Sequence, residues 1–312
     1  MSTLYAGIDV GGTSLKSLVV NDVGEIVETN AHSTANSTIA QLTSIASQLV
    51  SSHPDIAGIG IVVPGTVDEE SGTVGYASNV DLSGVNIPAA VTTATSRPAL
   101  LGHDGRGAGL AESLFGAAQG YESSVVIPIG TGISASLCFP GMVWPGHTHQ
   151  SGEIGHIPVD PQGEPCTCGQ RGCMEVYASA KGIARRYSEA TGETVGALEV
   201  ERRLGSDPVA DAVWARAIEA LSTVLTQLTL TLDPGCIVIG GGLSGAGDTL
   251  LDPLRAKVAS VLAWRSPPPI VVSALGDAAG QWGAAVLASR AAGSECYRAW
   301  TPGVVTGRGR QG

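Results

Sequence analysis

Residues 4–22 read LYAGIDVGGTSLKSLVVND: an apolar run, a Gly11-Gly12-Thr13 turn, and a second apolar run. LYAGIDV and LKSLVVND have strand composition, so the stretch is expected to be a strand, a tight Gly-rich turn and a returning strand. A helix directly after the glycines, as in dinucleotide-binding or Walker loops, is not indicated. The pattern returns at 124–139, SVVIPIGTGISASLCF, with Gly130-Thr131-Gly132 at the turn. Two such units imply two α/β halves. Each turn can aim backbone N–H groups at phosphate oxygens, and only glycine lets a backbone come that close.

Working outward, IAGIGIVV at 56–63 is an apolar run closed by Pro64-Gly65, the signature of a buried strand. ALLGH at 99–103 is a short strand that meets Asp104, and 105–118 is expected to be helical. Ile39, Leu42, Ile45, Ala46 and Leu49 have helical spacing within 37–52, with Ser37 or Thr38 as a cap. The longest helix is predicted at 209–231, on Trp214, Ile218, Leu221, Leu225 and Leu228, and Asp233-Pro234-Gly235 ends it. CIVIGGG then reads as a strand running into Gly240-Gly241-Gly242, with a helix from Asp248 or Thr249.

Length and composition agree with this outline. The chain has 312 residues, 43% of them hydrophobic and 14% charged, enough for a large core in two domains. Aromatics are only 4% and glycines number 43, which implies an aliphatic core with many tight turns. The net charge of −11 argues against nucleic acid or an anionic membrane surface as a partner. The N-terminus has neither a basic segment nor an apolar one, and no apolar run reaches membrane-spanning length, so a cytoplasmic protein is expected.

Six cysteines are present, and three fall in the eight residues from Cys166 to Cys173. Disulfides are rare in a reducing compartment, so clustered thiols point to metal. Cys166, Cys168 and Cys173, with His156 ten residues upstream, make a set that suits tetrahedral zinc. Four protein ligands close the coordination shell, so the zinc is expected to be structural. Gly169 and Gly172 would let the chain wrap the ion, and the wrapping would bring Glu153 and Glu175 near each other. Cys138 and Cys236 sit in apolar runs and read as buried small residues.

Asp9 ends its strand beside the first turn, which suits a magnesium–phosphate site; an ordinary hairpin aspartate is the competing reading. Asp104 can be a general base, or simply an N-cap of the helix that follows. Glu153, His156 and Glu175 could hold a polyol, or be a solvated pair flanking a metal ligand.

The pieces GIDVGGTSLK, GIGIVVPGTVD, ASNVDLSGVNIP, GHDGRGAGLAE, IGTGISASL, GEIGH, CTCGQRGCME and LDPGCIVIGGGLS occur in this order over about 4–290. Together they resemble the ROK family of repressors and sugar kinases. The resemblance implies an α/β, two-domain actin-like ATPase (ribonuclease H-like) fold with an interdomain cleft. Residues 1–118 would be the smaller domain, with a C-terminal helix at about 277–294 packing back on it. Residues 119–276 would be the larger domain carrying the zinc loop, and 301–312 a flexible tail. It implies an ATP- and Mg²⁺-dependent hexose kinase, glucokinase-like, with Asp104 as the base that activates the 6-hydroxyl. Asp9, Gly11, Gly12, Thr13 and Lys16 would form the first phosphate turn and Gly130, Thr131 and Gly132 the second. Gly240, Gly241 and Gly242 would lie on the adenosine side. Gly65, Asn79, His103, Asp104, Glu153, His156 and Glu175 would contact the sugar, and His156 would also bind Zn²⁺. A homodimer or dimer of dimers is implied.

Two departures stand out. The family's usual Asn before the catalytic Asp is His103 here, and Ser134 and Ser136 stand where glycines are commoner. An N-acetylmannosamine kinase, a fructokinase or a non-catalytic sugar-binding regulator are the alternatives. Regulators of the family carry an N-terminal DNA-binding domain, for which Asp9 comes too early. Polyphosphate is a further possible donor.

Overall fold

The computed structural model describes residues 2–35, 38–75, 77, 80–82 and 84–302. The chain forms two compact units, one of residues 1–119, 145–150 and 277–312 and one of 120–144 and 151–276. Residues 145–150, inside the stretch expected in the second domain, thus belong with the first unit.

The first unit opens with β1 (Leu4–Val10), β2 (Ser14–Asn21) and β3 (Ile26–Ser33), a meander. α1 (Thr38–Ser52) buries Leu42, Ile45, Ala46 and Leu49, the stripe legible in its spacing. Ser37 lies outside the described residues. β4 (Ile56–Val63), the short β5 (Val67–Asp68) and β6 (Thr73–Val74), α2 (Ile87–Thr95), β7 (Ala99–His103) and α3 (Asp104–Phe115) follow. Asn86 caps α2, its side chain accepting from Ala89 N at 2.8 Å. α3 stops at Phe115, three residues short of the expected end, because Gly116 leaves helical geometry (φ −107°, ψ −147°). The main sheet runs β3-β2-β1-β4-β7, antiparallel through β3, β2 and β1 and parallel from β1 to β4 to β7.

The second unit repeats the plan. β8 (Ser124–Pro128), β9 (Ser136–Phe139) and β10 (Met142–Val143) form the antiparallel part. The returning strand starts at Ser136, not at Ile133; only an isolated bridge, Ile129 to Ile133, closes the turn. α4 (Met174–Ala178), α5 (Ala180–Thr191), α6 (Ala197–Arg202) and α7 (Pro208–Leu232) come next. Asp207 caps α7 by accepting from Val209 N at 2.8 Å, and Asp233 ends it in the left-handed conformation (φ 46°). β11 (Cys236–Gly240), α8 (Asp248–Val261) and β12 (Ile270–Val272) complete the unit. Its sheet order is β10-β9-β8-β11-β12, with β8, β11 and β12 parallel. Cys138 and Cys236 are buried in β9 and β11.

The chain returns to the first unit with α9 (Ala279–Ala291), which lies directly on that unit's sheet. The approach is so close that glycine is required below it. A Cβ at Gly60 would run into the Ala284 carbonyl oxygen and stand 2.6 Å from Ala288 N. Gly107 of α3 and Gly283 of α9 face each other in the same way. The GIGI pattern of β4 is therefore a packing device as well as a strand. The tail beyond Pro302 lies outside the described residues.

Candidate active site

In both units the candidate residues collect at the carboxyl ends of parallel strands, where open α/β sheets bind ligands. In the first unit Asp9 is the penultimate residue of β1, Gly65 follows β4, and His103 and Asp104 end β7 and start α3. Val63 pairs with His103 and Asp9 with Val62, so the three strand ends lie side by side.

The first turn is short and braced from outside. Gly11 N donates to Ser14 O at 2.9 Å. Thr34 N donates to Thr13 O at 3.0 Å, and Thr34 Oγ1 to Gly11 O at 2.7 Å. Gly12 and Thr13 are exposed at the tip. Lys16 pairs with Asp9 across β1 and β2. Burial first, then the charge of Asp104, pushes the Asp9 carboxyl up from 3.8 to about 7, with Lys16 opposing. α9 crowds the same carboxylate: a Cβ at Gly280 would stand 2.6 Å from Asp9 Oδ2.

Asp104 is half-buried and is not the cap of α3. His103 caps that helix, its Nδ1 accepting from Arg106 N at 3.3 Å, so capping does not account for Asp104. Asp104 Oδ1 accepts from Gly105 N at 2.6 Å. Buried Arg106 donates from Nε to Glu69 Oε1 at 2.9 Å, an oxygen that also accepts from His103 N at 3.3 Å. Asn79 lies outside the described residues.

In the second unit, Gly130 N donates to Gly132 O at 3.0 Å, and Thr131 and Gly132 are exposed. Glu175 supports this turn from below: its Oε2 accepts from Ile133 N at 2.9 Å, and a Cβ at Gly132 would stand 2.7 Å from it. Gly155 lies on the same oxygen less tightly, with a Cβ there 3.3 Å from it. Glu175 is thus tied to the turn and to the GEIGH segment, while Glu153 is exposed. Ser136 lies in the β9 ladder opposite Val126, away from the turn's tip. Gly240 ends β11, and Gly241 packs on the second turn's entry strand, where a Cβ would stand 2.6 Å from Ile129 N. Gly242 is exposed.

The ligand atoms of His156, Cys166, Cys168 and Cys173 lie within 4.8 Å of one another. Cys166 Sγ is 3.7 Å from His156 Nδ1, and Cys168 Sγ is 3.7 Å from Cys173 Sγ. Donors held tetrahedrally by zinc would be about 3.5–3.8 Å apart. The donor set and its spacing therefore fit zinc. Burial, then the neighbouring thiols of Cys166 and Cys168, pushes the Cys173 thiol up to about 12. The Cys168 thiol is pulled down, chiefly by the Gln170 backbone, so it is Cys173 that needs a cation to ionise. Cys173 precedes the first residue of α4, and Glu175 is that helix's second. The loop therefore sets the start of the helix that presents Glu175. Gly172 (φ +68°) passes too close to the Asp160 carbonyl for any side chain.

A family model described as "ROK family" matches residues 5–291. The chain belongs to the ROK family. It is 30% identical over 308 residues to a glucokinase of Streptomyces coelicolor, covering 91% of this chain and 97% of that one. It is 33% identical over 276 residues to a glucokinase of Halalkalibacterium halodurans, covering 80% and 84%. A ROK glucokinase of Streptomyces griseus, solved with glucose and AMPPNP, superposes with a TM-score of 0.78 at 28% identity, covering 92% and 99%. ROK kinases have the two-domain actin-like ATPase fold, and the duplicated sheets of this ROK chain follow it. Thr34, Glu69 and Gly280 carry no motif and reach their partners only through the fold, and Arg106 lies within GHDGRGAGLAE, which by itself gives it no role.

Proposed function

We propose that the chain is an ATP-dependent hexose kinase, glucokinase-like, that transfers the γ-phosphoryl group to the 6-hydroxyl of a hexose, with glucose the leading candidate. The observation that carries this reading is the pair of carboxylates at the strand ends. Asp9 is pushed up toward neutrality beside Asp104, which is not the cap of α3. A buried acid in that state suits a divalent cation, and a half-buried carboxylate beside it suits a base. Asp9 and the first turn would hold Mg²⁺ with the phosphates; when bound, the ion offsets the negative charge of the polyphosphate.

In the proposed step Asp104 takes the proton of the sugar hydroxyl as its oxygen attacks the γ-phosphorus. The bond from phosphorus to the bridging oxygen breaks, and ADP leaves. The N–H groups around Gly11–Thr13 and Gly130–Gly132 face developing charge on phosphate, and Gly240–Gly242 take the adenosine side. Glu153, His156, Glu175, Gly65 and Asn79 orient the sugar. His156, Cys166, Cys168 and Cys173 would hold Zn²⁺, which would keep the segments carrying Glu153, His156 and Glu175 in place. The clustered reduced thiols accord with a cytoplasmic setting, and a homodimer is part of the same reading.

The test is a coupled ADP-release assay with ATP and Mg²⁺ over glucose, mannose, fructose, allose, N-acetylglucosamine and N-acetylmannosamine. Wild type is expected to turn over at least one sugar. Asp104→Asn is expected to lose about 10²–10⁴-fold in kcat, the share of a positioned base. A folded, zinc-loaded protein with no turnover on any sugar would favour a sugar-binding regulator instead.

A further inference from the structure

The residue before the proposed base is a histidine whose ring is used on both edges. His103 is the last residue of β7 and the cap of α3 (φ −79°, ψ 139°). Its place is fixed from three directions. Its backbone N–H goes to Glu69 Oε1 at 3.3 Å, and Arg106 Nε goes to the same oxygen at 2.9 Å. Arg106 is itself held by the carbonyls of Val67, at 3.2 Å, and His149, at 3.3 Å. Arg106 N then donates to His103 Nδ1 at 3.3 Å.

An imidazole nitrogen that accepts carries no proton, so the neutral ring has its hydrogen on Nε2. That nitrogen is 3.4 Å from Asp104 Oδ1. The same oxygen accepts from Gly105 N at 2.6 Å. The Gly105 N–H is donated to Oδ1 and the imidazole Nε2 stands nearest the same oxygen, which leaves the lone pairs of Oδ2 for a substrate hydroxyl. The separation of 3.4 Å is long, as catalytic hydrogen bonds often are before substrate binds.

We propose that His103 is a positioning residue for Asp104: capping α3 through Nδ1 selects the Nε2–H tautomer, and that N–H fixes which carboxylate oxygen acts as the base. His103 then does not contact the sugar. Asparagine can supply the cap, but its amide ends one bond nearer the backbone. It cannot place an acceptor on Arg106 N and a donor on Asp104 from opposite edges of one rigid ring. The proposal rests on the kinase reading above.

The experiment compares wild type, His103→Asn, His103→Ala and Asp104→Asn. Steady-state kinetics and melting temperature are measured on each, and long-range ¹H–¹⁵N spectra are recorded for the ring nitrogens. In wild type the spectra should show a neutral His103 with its proton on Nε2, and Asp104→Asn should move the Nε2 signal. His103→Asn should melt with wild type yet lose about tenfold in kcat, with sugar KM unchanged, because only the orientation of the base is lost. His103→Ala should lose the same factor and also melt lower. A raised sugar KM with unchanged kcat would make His103 a sugar contact and overturn the proposal. So would an unchanged kcat in His103→Asn, or a proton found on Nδ1. If wild type turns over no sugar, or Asp104→Asn is as fast as wild type, the kinase reading fails instead. The ring spectra need no turnover and still decide whether His103 holds Asp104.

Discussion

Asp9 offers a test that needs no substrate. A carboxylate whose proton affinity rises on folding destabilises the fold wherever it must be ionised. The carboxyl goes from 3.8 to about 7, chiefly through burial and then through Asp104. Its favourable contribution is complete below the unfolded value and is lost as pH rises through the folded one. At 1.36 kcal/mol per pH unit, the raised proton affinity of Asp9 costs up to about 4 kcal/mol at pH 8 and roughly 2 kcal/mol at pH 5. Part of the carboxylate still reaches solvent, so these are upper bounds. Asp9→Asn keeps the shape and removes the charge. In urea titrations followed by tryptophan fluorescence, its advantage over wild type should grow by about 2–3 kcal/mol from pH 5 to pH 8. Mg²⁺ with ATP should narrow the gap by stabilising wild type more than the variant. The variant should also lose turnover, the usual cost of removing a charge placed for function. A variant no more stable than wild type at pH 8, or a difference that ignores pH, would refute the argument.

Two further outcomes follow from the packing and the thiol cluster. Metal analysis should find one zinc per chain; chelation, or Cys166→Ser, should lower the melting temperature and raise the KM for sugar as well as for ATP, because Glu175, a proposed sugar contact, and the turn it supports depend on the start of α4. A zinc-free protein with native melting and kinetics would remove the metal from the account. Gly60→Ala should cost at least about 1–3 kcal/mol, since the new methyl meets the backbone of α9 and no flexible side chain can yield; a melting temperature unchanged to within a degree would show that α9 can lift off the sheet at little cost.

What the sequence revealed divides along a physical line. IAGIGIVV was legible to the residue because a strand buried on both faces needs an unbroken apolar run. α1 and α7 were legible because each buries one stripe. The thiol cluster was legible because its ligands lie close in the chain. β3 gave no signal: most of IVETNAHS is exposed, and an edge strand held by its ladder needs no apolar alternation. The glycines of β1 and β4 looked from composition like turn formers, and only the position of α9 shows that they clear space for a helix more than two hundred residues away. Glu69 and Thr34 act on the site from remote positions, so local pattern could not single them out, and Arg106, two residues past Asp104, takes its role only through Glu69.

The same division explains the reading of His103 and Asp104. Propensity made Asp104 the natural cap, because aspartate caps helices well and histidine is an uncommon choice. Tertiary contacts reverse the assignment: Glu69 and Arg106 pin His103 where its ring reaches the N–H of Arg106 in the first turn of α3. With histidine as the cap, only Oδ1 of the aspartate is held, by Gly105 N. A carboxylate bound into a cap would have its oxygens committed to backbone N–H groups and its basicity lowered. Here one oxygen is held and the other is left, at the end of a strand, beside an acid that burial keeps near neutrality. In the proposed kinase, histidine in place of asparagine therefore leaves Asp104 Oδ2 to act as the base.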